Sequence, residues 1–341
     1  MNSKSGVRSR RSIANPPTGL PTAAAGVEFR THHLALPEDA AGLRLDQALA
    51  AALPQYSRAR LQDWIRAGAV TLEGRIPRPR DRVQGGEAVS IRAELPPAWG
   101  IDPESMALEV LWRDPHLAVI NKPAGLIVHP GAGHARHTLQ NGLLAWDPKL
   151  ARVPRAGIVH RLDKDTSGLL LIARTVEAHA ALVAALAART VHRNYVALVT
   201  GALTGGGTVD RPIGRHRSVR TRMAVRADGR AAVTHFRIVK RYRAHTLLDV
   251  QLESGRTHQI RVHLAHLGYP VVGDPLYGGR RRLPAGASAA LREALAGFPR
   301  QALHAARLKL AHPASGREME WEAPLPPDMA GLLAALESDR A

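Results

Sequence analysis

Apolar residues recur along this chain in three rhythms, each predicting a different kind of element. Between residues 43 and 68 the period is helical. Leu45, Leu49 and Leu53 fall four apart in a first helix that Pro54 ends. Leu61, Trp64 and Ile65 form the stripe of a second, with Ser57 placed as its N-cap and Gly68 as its terminator. Arg58, Arg60 and Arg66 lie off that stripe. The period then shortens to two in Val70-Thr71-Leu72 and Ala88-Val89-Ser90-Ile91, which predict two short strands around a basic loop from Arg75 to Arg82. The third rhythm is the absence of one. Leu169-Leu170-Leu171-Ile172-Ala173 is apolar without a break, as expected of a strand covered on both faces.

Pro96-Pro97 through Pro103 reads as a linker. Beyond it, Val110-Leu111-Trp112 and Leu117-Ala118-Val119-Ile120 predict a strand pair across Asp114-Pro115. An Ala-rich helix is expected over residues 176–188, further strands over 195–199, 232–239 and 246–252, and a helix over 257–267 stopped by Gly268. Strands in sequence with inserted helices, rather than regular βαβ alternation, indicate an α+β domain with a mostly antiparallel mixed sheet and flanking helices. The organisation expected is a disordered basic tail over residues 1–30, a small module over 31–95, a linker over 96–104 and a large domain over 105–341.

Charge narrows the choice of partner. Lys and Arg number 47 against 29 Asp and Glu, a net charge of +18, which points to an anionic partner and to nucleic acid first. No stretch reaches the roughly 18 apolar residues that would span a bilayer, and no secretory core is seen near the N-terminus. The chain has no cysteine, so disulfides, thiolate metal sites and a Cys nucleophile are excluded together. A cytoplasmic protein without a membrane partner is expected.

Chemistry concentrates ahead of the unbroken apolar run. Thr166, Ser167 and Gly168 supply turn chemistry there, so Asp163 is expected on a short loop pinned by the strand behind it, beside Arg161. A carboxylate held in this way can act as a nucleophile or base, or it can merely cap a turn, as can Asp165. Other motifs fall away. His263 and His266 have an H-x-x-H spacing, with His258 nearby, but no acidic ligand at a zinc-like spacing, so no metal is expected. Gly205-Gly206-Gly207 lacks a following Gly-Lys-Ser and reads as a turn. His160-Arg161-Leu162-Asp163 has one residue too many for a kinase catalytic loop.

The ten residues His160-Arg161-Leu162-Asp163-Lys164-Asp165-Thr166-Ser167-Gly168-Leu169 resemble, without a gap, the signature of the RluA family of RNA pseudouridine synthases. Five further segments resemble that family in the family's order: Ile120-Asn121-Lys122-Pro123, Val128-His129-Pro130-Gly131, Arg193-Asn194-Tyr195, residues 255–263 and residues 273–278. Residues 31–95 are similar to the S4 RNA-binding domain. The resemblance implies a synthase that isomerises uridines, with large-subunit ribosomal RNA or a pre-ribosomal particle as its substrate and no cofactor. It also assigns residues. Asp163 would be the essential carboxylate, Arg261 the cation that keeps it charged, Tyr195 the ring against the target base, and Arg161 the side chain that fills the gap left by a flipped base. Arg211, Arg215, His216, Arg217, Arg220, Arg222 and the run Arg280-Arg281-Arg282 are expected to meet phosphates, and a monomer is expected. The alternatives are an RNA-binding or assembly protein without activity, a synthase acting on tRNA, and a glycosidic hydrolase. The hydrolase would need a second carboxylate to activate water, from Asp165 or Asp274.

Overall fold

The helical and alternating segments that precede the linker fold around a core of their own. The computed structural model describes residues 28–54, 56, 58–95, 101–130, 136–219, 221–279 and 283–339. They belong to two compact units, Met1–Pro97 and Ala98–Ala341. In the first, strands β1 (Glu28–Ala35), β2 (Val70–Leu72) and β3 (Ala88–Leu95) form an antiparallel sheet in the order β1-β3-β2, with helices α1 (Leu45–Ala52) and α2 (Arg58–Arg66). Leu45, Leu49, Leu61, Trp64 and Ile65 are buried together with Val70, Val89 and Ile91.

Two details depart from expectation. The predicted strand pair belongs to a three-stranded sheet, because a further strand, β1, begins at Glu28, inside the stretch assigned to the tail, and pairs with the other side of β3. Its sequence, Glu-Phe-Arg-Thr-His-His-Leu-Ala, lacks a clear alternation, and pairing with β3 along all eight residues holds it. Arg58, moreover, is not a free basic residue. It donates to the buried Asp46 of α1 at 3.0 Å and so ties the two helices together. The tail through residue 27, Ser57 and the linker residues 96–100 lie outside the described residues.

The second unit is built on a mixed sheet of nine strands. They are β4 (Glu109–Arg113), β5 (Leu117–Lys122), β6 (Ser167–Ala173), β7 (His192–Thr200), β8 (Gly207–Asp210), β11 (Val233–Arg241), β12 (His245–Leu252), β13 (Leu303–Ala311) and β14 (Glu318–Glu322). The order is β4-β5-β6-β13-β7-β12-β11-β8, with β14 added to β13. Among these pairings only β6 with β13 is parallel. A separate hairpin joins β9 (Ile213–Arg215) to β10 (Met223–Val225). The helices are α3 (Leu139–Trp146), α4 (Val176–Ala187), α5 (Gln259–His266), α6 (Ala289–Gly297) and α7 (Pro327–Ser338).

Every residue of β6 is buried, which is why its apolar run needs no alternation. At about 25 cal/mol per Å², each of its Leu and Ile side chains contributes roughly 1.5–3 kcal/mol on burial. The strand is therefore a rigid base for the loop that precedes it. The pattern of apolar residues did not predict α3, α6, α7, β13, β14 or the short strands β8 to β10. Nor does α5 begin where expected. Its first residue is Gln259, because the Gln259 side chain accepts from the Arg256 N–H at 3.0 Å and from the Ser254 hydroxyl at 2.8 Å, closing a turn, while His258 takes a left-handed φ of 57°. Thr257 and His258 thus precede the helix and do not share its face with Arg261.

Candidate active site

Four neighbouring strands bring the site together. In register, Gly168 of β6 faces Ala305 of β13, Ala305 faces Tyr195 of β7, and Tyr195 faces Val250 of β12. Gly168 has φ of +110°, and a Cβ on it would lie 2.2 Å from the Ala305 carbonyl oxygen. Only glycine therefore lets the chain turn from the Asp163 loop into β6 at this point. Tyr195 is 5% exposed and lines one cleft with Arg161, Asp163, Thr166, Arg193, Thr257, His258 and Arg261. Burial raises the Tyr195 pKa further above neutrality, so the ring is present as the phenol.

The loop that carries Asp163 is braced from three directions. Lys122, at the end of β5 and 0% exposed, donates its ammonium to the carbonyls of Pro123 at 2.7 Å, Leu126 at 2.9 Å and Lys164 at 2.9 Å. Arg300 donates to the Asp165 carbonyl at 3.1 Å and is itself gripped by both carboxylate oxygens of Asp328, at 2.6 and 2.8 Å. Gln301 donates to the Thr166 hydroxyl at 3.1 Å. Lys164 and Asp165 are thereby held by their carbonyls, and the Asp163 side chain is left facing the cleft.

Arg261 of α5 meets it there. Its Nη1 donates to the Asp163 carboxylate at 2.9 Å, while Nε and Nη2 donate to the two oxygens of Asp274 at 2.7 and 2.8 Å. Burial pulls the Arg261 pKa down, but the hydrogen bonds and charges of Asp274 and Asp163 outweigh it and hold the guanidinium above the ordinary arginine value. Asp274 also accepts from the N–H groups of Leu276 and Tyr277 at 2.9 and 3.0 Å. Its side chain is fully buried and already accepts from four donors, so no water can reach it for activation. That removes Asp274 as the second carboxylate of a hydrolase. Its role here is to fix Arg261, which spacing alone did not indicate.

Tyr277 completes the wall. Its ring lies 5.1 Å from the Arg261 guanidinium, and its hydroxyl accepts from the Met223 N–H at 2.8 Å. The phenolic hydrogen is then free to donate to His258 Nδ1, 2.9 Å away, which leaves the imidazole proton on Nε2, 3.9 Å from Asp163. Burial lowers the His258 pKa, so the ring is neutral near pH 7. From the sequence, His258 was considered as a metal ligand and set aside, and Tyr277 was not singled out. Both sit in the segments that resemble the synthase family, and that was the available signal.

Arg161 is exposed at the mouth of the cleft. The expected phosphate binders separate. Arg211, Arg215, His216, Arg217 and Arg222 sit in and around the β9–β10 hairpin, whereas Arg220 and Arg280-Arg281-Arg282 lie outside the described residues. Among the described residues, no group of three or more His, Asp or Glu is placed to hold a metal ion, and no helix is long and apolar enough to cross a membrane.

Comparison with known proteins places the chain among relatives of one family. The family described as RNA pseudouridylate synthase matches residues 116–266, and the S4 domain matches residues 43–89. The ribosomal large subunit pseudouridine synthase D of Xanthomonas campestris is 55% identical over 306 residues, covering 90% of this chain and 92% of that protein. The protein of the same name from Pseudomonas aeruginosa is 53% identical over 305 residues, covering 89% and 95%, and that of Escherichia coli 51% over 303 residues, covering 89% and 93%. Among solved structures, human RNA pseudouridylate synthase domain containing 4 superposes with a TM-score of 0.53 at 27% identity, covering 67% of this chain and 93% of that one.

Proposed function

Because the chain belongs to the RNA pseudouridylate synthase family, we propose that it isomerises uridines of large-subunit ribosomal RNA, with Asp163 as the essential carboxylate. The observation that carries the reading is the Asp163–Arg261–Asp274 arrangement opposite Tyr195, in a cleft open to Arg161. The reaction breaks the bond between C1′ and N1 of the base, rotates the base and joins C1′ to C5. The C5 proton leaves and N1 gains one, so no redox partner or group donor enters the balance. Asp163 starts this sequence from a position fixed by the braced loop and by Arg261. The uridine must leave its stack at a cost of a few kcal/mol, and stacking on the Tyr195 ring returns roughly 1–3 kcal/mol. Arg161, exposed at the mouth, is read as the side chain that fills the gap in the RNA.

The S4-like module over residues 31–95 is read as an RNA-holding unit and residues 105–341 as the catalytic domain, acting as a monomer in the cytoplasm. Each unit has a hydrophobic core of its own, so truncation separates their roles. Deleting residues 1–100 is expected to weaken binding to structured RNA by about tenfold, with a smaller fall in the single-turnover rate at saturating RNA. Equal losses in binding and rate would contradict a two-module protein. The substrate is tested by carbodiimide-dependent reverse-transcription mapping of RNA from cells with and without the gene. Loss of sites in large-subunit rRNA supports the reading, loss confined to tRNA moves the substrate, and no loss anywhere overturns the activity.

A further inference from the structure

Beside the Tyr195 cleft lies a second one, lined by His129, Arg155, His160, Arg161, Arg193 and Gly255 together with apolar residues, and by no carboxylate. Its rear wall holds an anomaly. Arg193 of β7 is only 7% exposed, yet among the described residues its guanidinium has no hydrogen bond and no ion pair, and its Nε is closed off from water. A cation buried without a counter-charge is strongly disfavoured unless something else supplies one. His160 repeats the pattern. Its Nε2 accepts from the Leu171 N–H at 3.0 Å, which puts the imidazole hydrogen on Nδ1, and Nδ1 is buried without a partner. Nε and Nδ1 are closed to solvent, so it is the remaining guanidinium nitrogens of Arg193, which lines both clefts, that an entering acceptor would meet. Room is left for one, because a Cβ on Gly255 would come within 3.0 Å of Arg193 Nη1. Arg155 and Arg161, both exposed, add positive charge at the rim.

The ligand that satisfies such a wall is an acceptor-only anion. Arg193 also lines the Tyr195 cleft, so that anion must be covalently close to the nucleotide seated there. We propose that Arg193, with the positive charge of Arg155 at the rim, binds a backbone phosphodiester adjoining the target uridine, and that this contact seats the nucleotide for the reaction. The inference rests on the synthase reading for the identity of the RNA, but not for the nature of the contact.

The probe is a synthetic RNA hairpin from large-subunit rRNA carrying a mapped uridine, with or without a neutral methylphosphonate at the diester on either side of it. Arg193→Gln is expected to raise the Kd for the unmodified hairpin about tenfold and to lower the slope of log Kobs against log[salt] by about 0.7, the value for one single-strand phosphate contact. In the wild-type protein one of the two methylphosphonates should produce a similar loss, and in Arg193→Gln that same substitution should cost less than about twofold. Arg193→Lys should recover part of the affinity. A structural arginine would lower the melting temperature when replaced, whereas a cation waiting for a ligand should leave Arg193→Gln melting at or above the wild type. Wild-type affinity and slope in Arg193→Gln, or a methylphosphonate loss that is undiminished in it, would overturn the contact. These readouts need no turnover, so a wild-type protein that binds the hairpin but makes no pseudouridine would refute the function and still decide the phosphate site.

Discussion

Asp163→Asn is expected to reduce pseudouridine formation by more than about 10³-fold while leaving RNA affinity within several-fold. The amide keeps the shape and loses the charge. A nucleophile or base cannot be made from it, and a 10³-fold fall corresponds to about 4 kcal/mol of transition-state stabilisation. Affinity is spared because phosphate contacts dominate it. The fold should be spared for a reason visible in the charges. Arg261 is shared between two carboxylates, so neutralising Asp163 leaves a compensated Arg261–Asp274 pair and no orphaned cation. Asp274 also keeps its backbone donors at Leu276 and Tyr277. The variant should melt within a few degrees of the wild type. Single-turnover assays read by carbodiimide mapping provide the check, and turnover retained at even a tenth of the wild-type rate would remove Asp163 from the central role.

What could be read in the chain divides along physical lines. The loop at Asp163 and the strand behind it were legible because an unbroken apolar run has few destinations other than the middle of a sheet. Arg261 and Tyr195 were legible through motif resemblance alone, since a helix arginine and a strand tyrosine are otherwise unremarkable. Asp274 was not, because its importance comes from a partner thirteen residues away and from two backbone N–H groups that only the fold aligns with it. The start of α5 misled for a similar reason. Thr257 and His258 carry no helix-breaking residue, and the Gln259 side chain sets the boundary by capturing the Ser254–Arg256 turn. Helix α7, with Met329, Leu332, Leu333 and Leu336 at helical spacing, was readable in principle. Strand β13 was not. Its sequence, Leu-His-Ala-Ala-Arg-Leu-Lys-Leu-Ala, mixes charge with small residues, yet it lies inside the sheet between β6 and β7.

Lys122 is the residue whose surroundings differ most from what its type suggests, and its replacement should have the largest effect on stability. Lys122→Met keeps the length of the side chain and removes the ammonium, leaving the carbonyls of Pro123, Leu126 and Lys164 with one donor fewer each. Of the three, the Lys164 carbonyl alone retains a donor, the Gly125 N–H at 3.0 Å. With buried acceptors unsatisfied, a destabilisation of about 3 kcal/mol is expected, which for a unit of this size lowers the melting temperature by roughly 6–12 °C. Activity should fall as well at temperatures where the variant is folded, because the Asp163 loop loses a brace. The pH dependence supplies an independent check. Burial pushes the Lys122 pKa down to about 7, against the pull of Asp165 and Asp163, from an ordinary value of 10.5. Between those two values the unfolded chain binds the proton and the folded protein releases it, so this group's contribution to stability rises with pH across that window. The difference in melting temperature between wild type and Lys122→Met should therefore widen from pH 7 toward pH 10. A difference that stays constant would mean that burial does not depress the Lys122 pKa, and a variant that melts within a degree of the wild type at every pH would mean that the Lys122 amine is not what holds the loop.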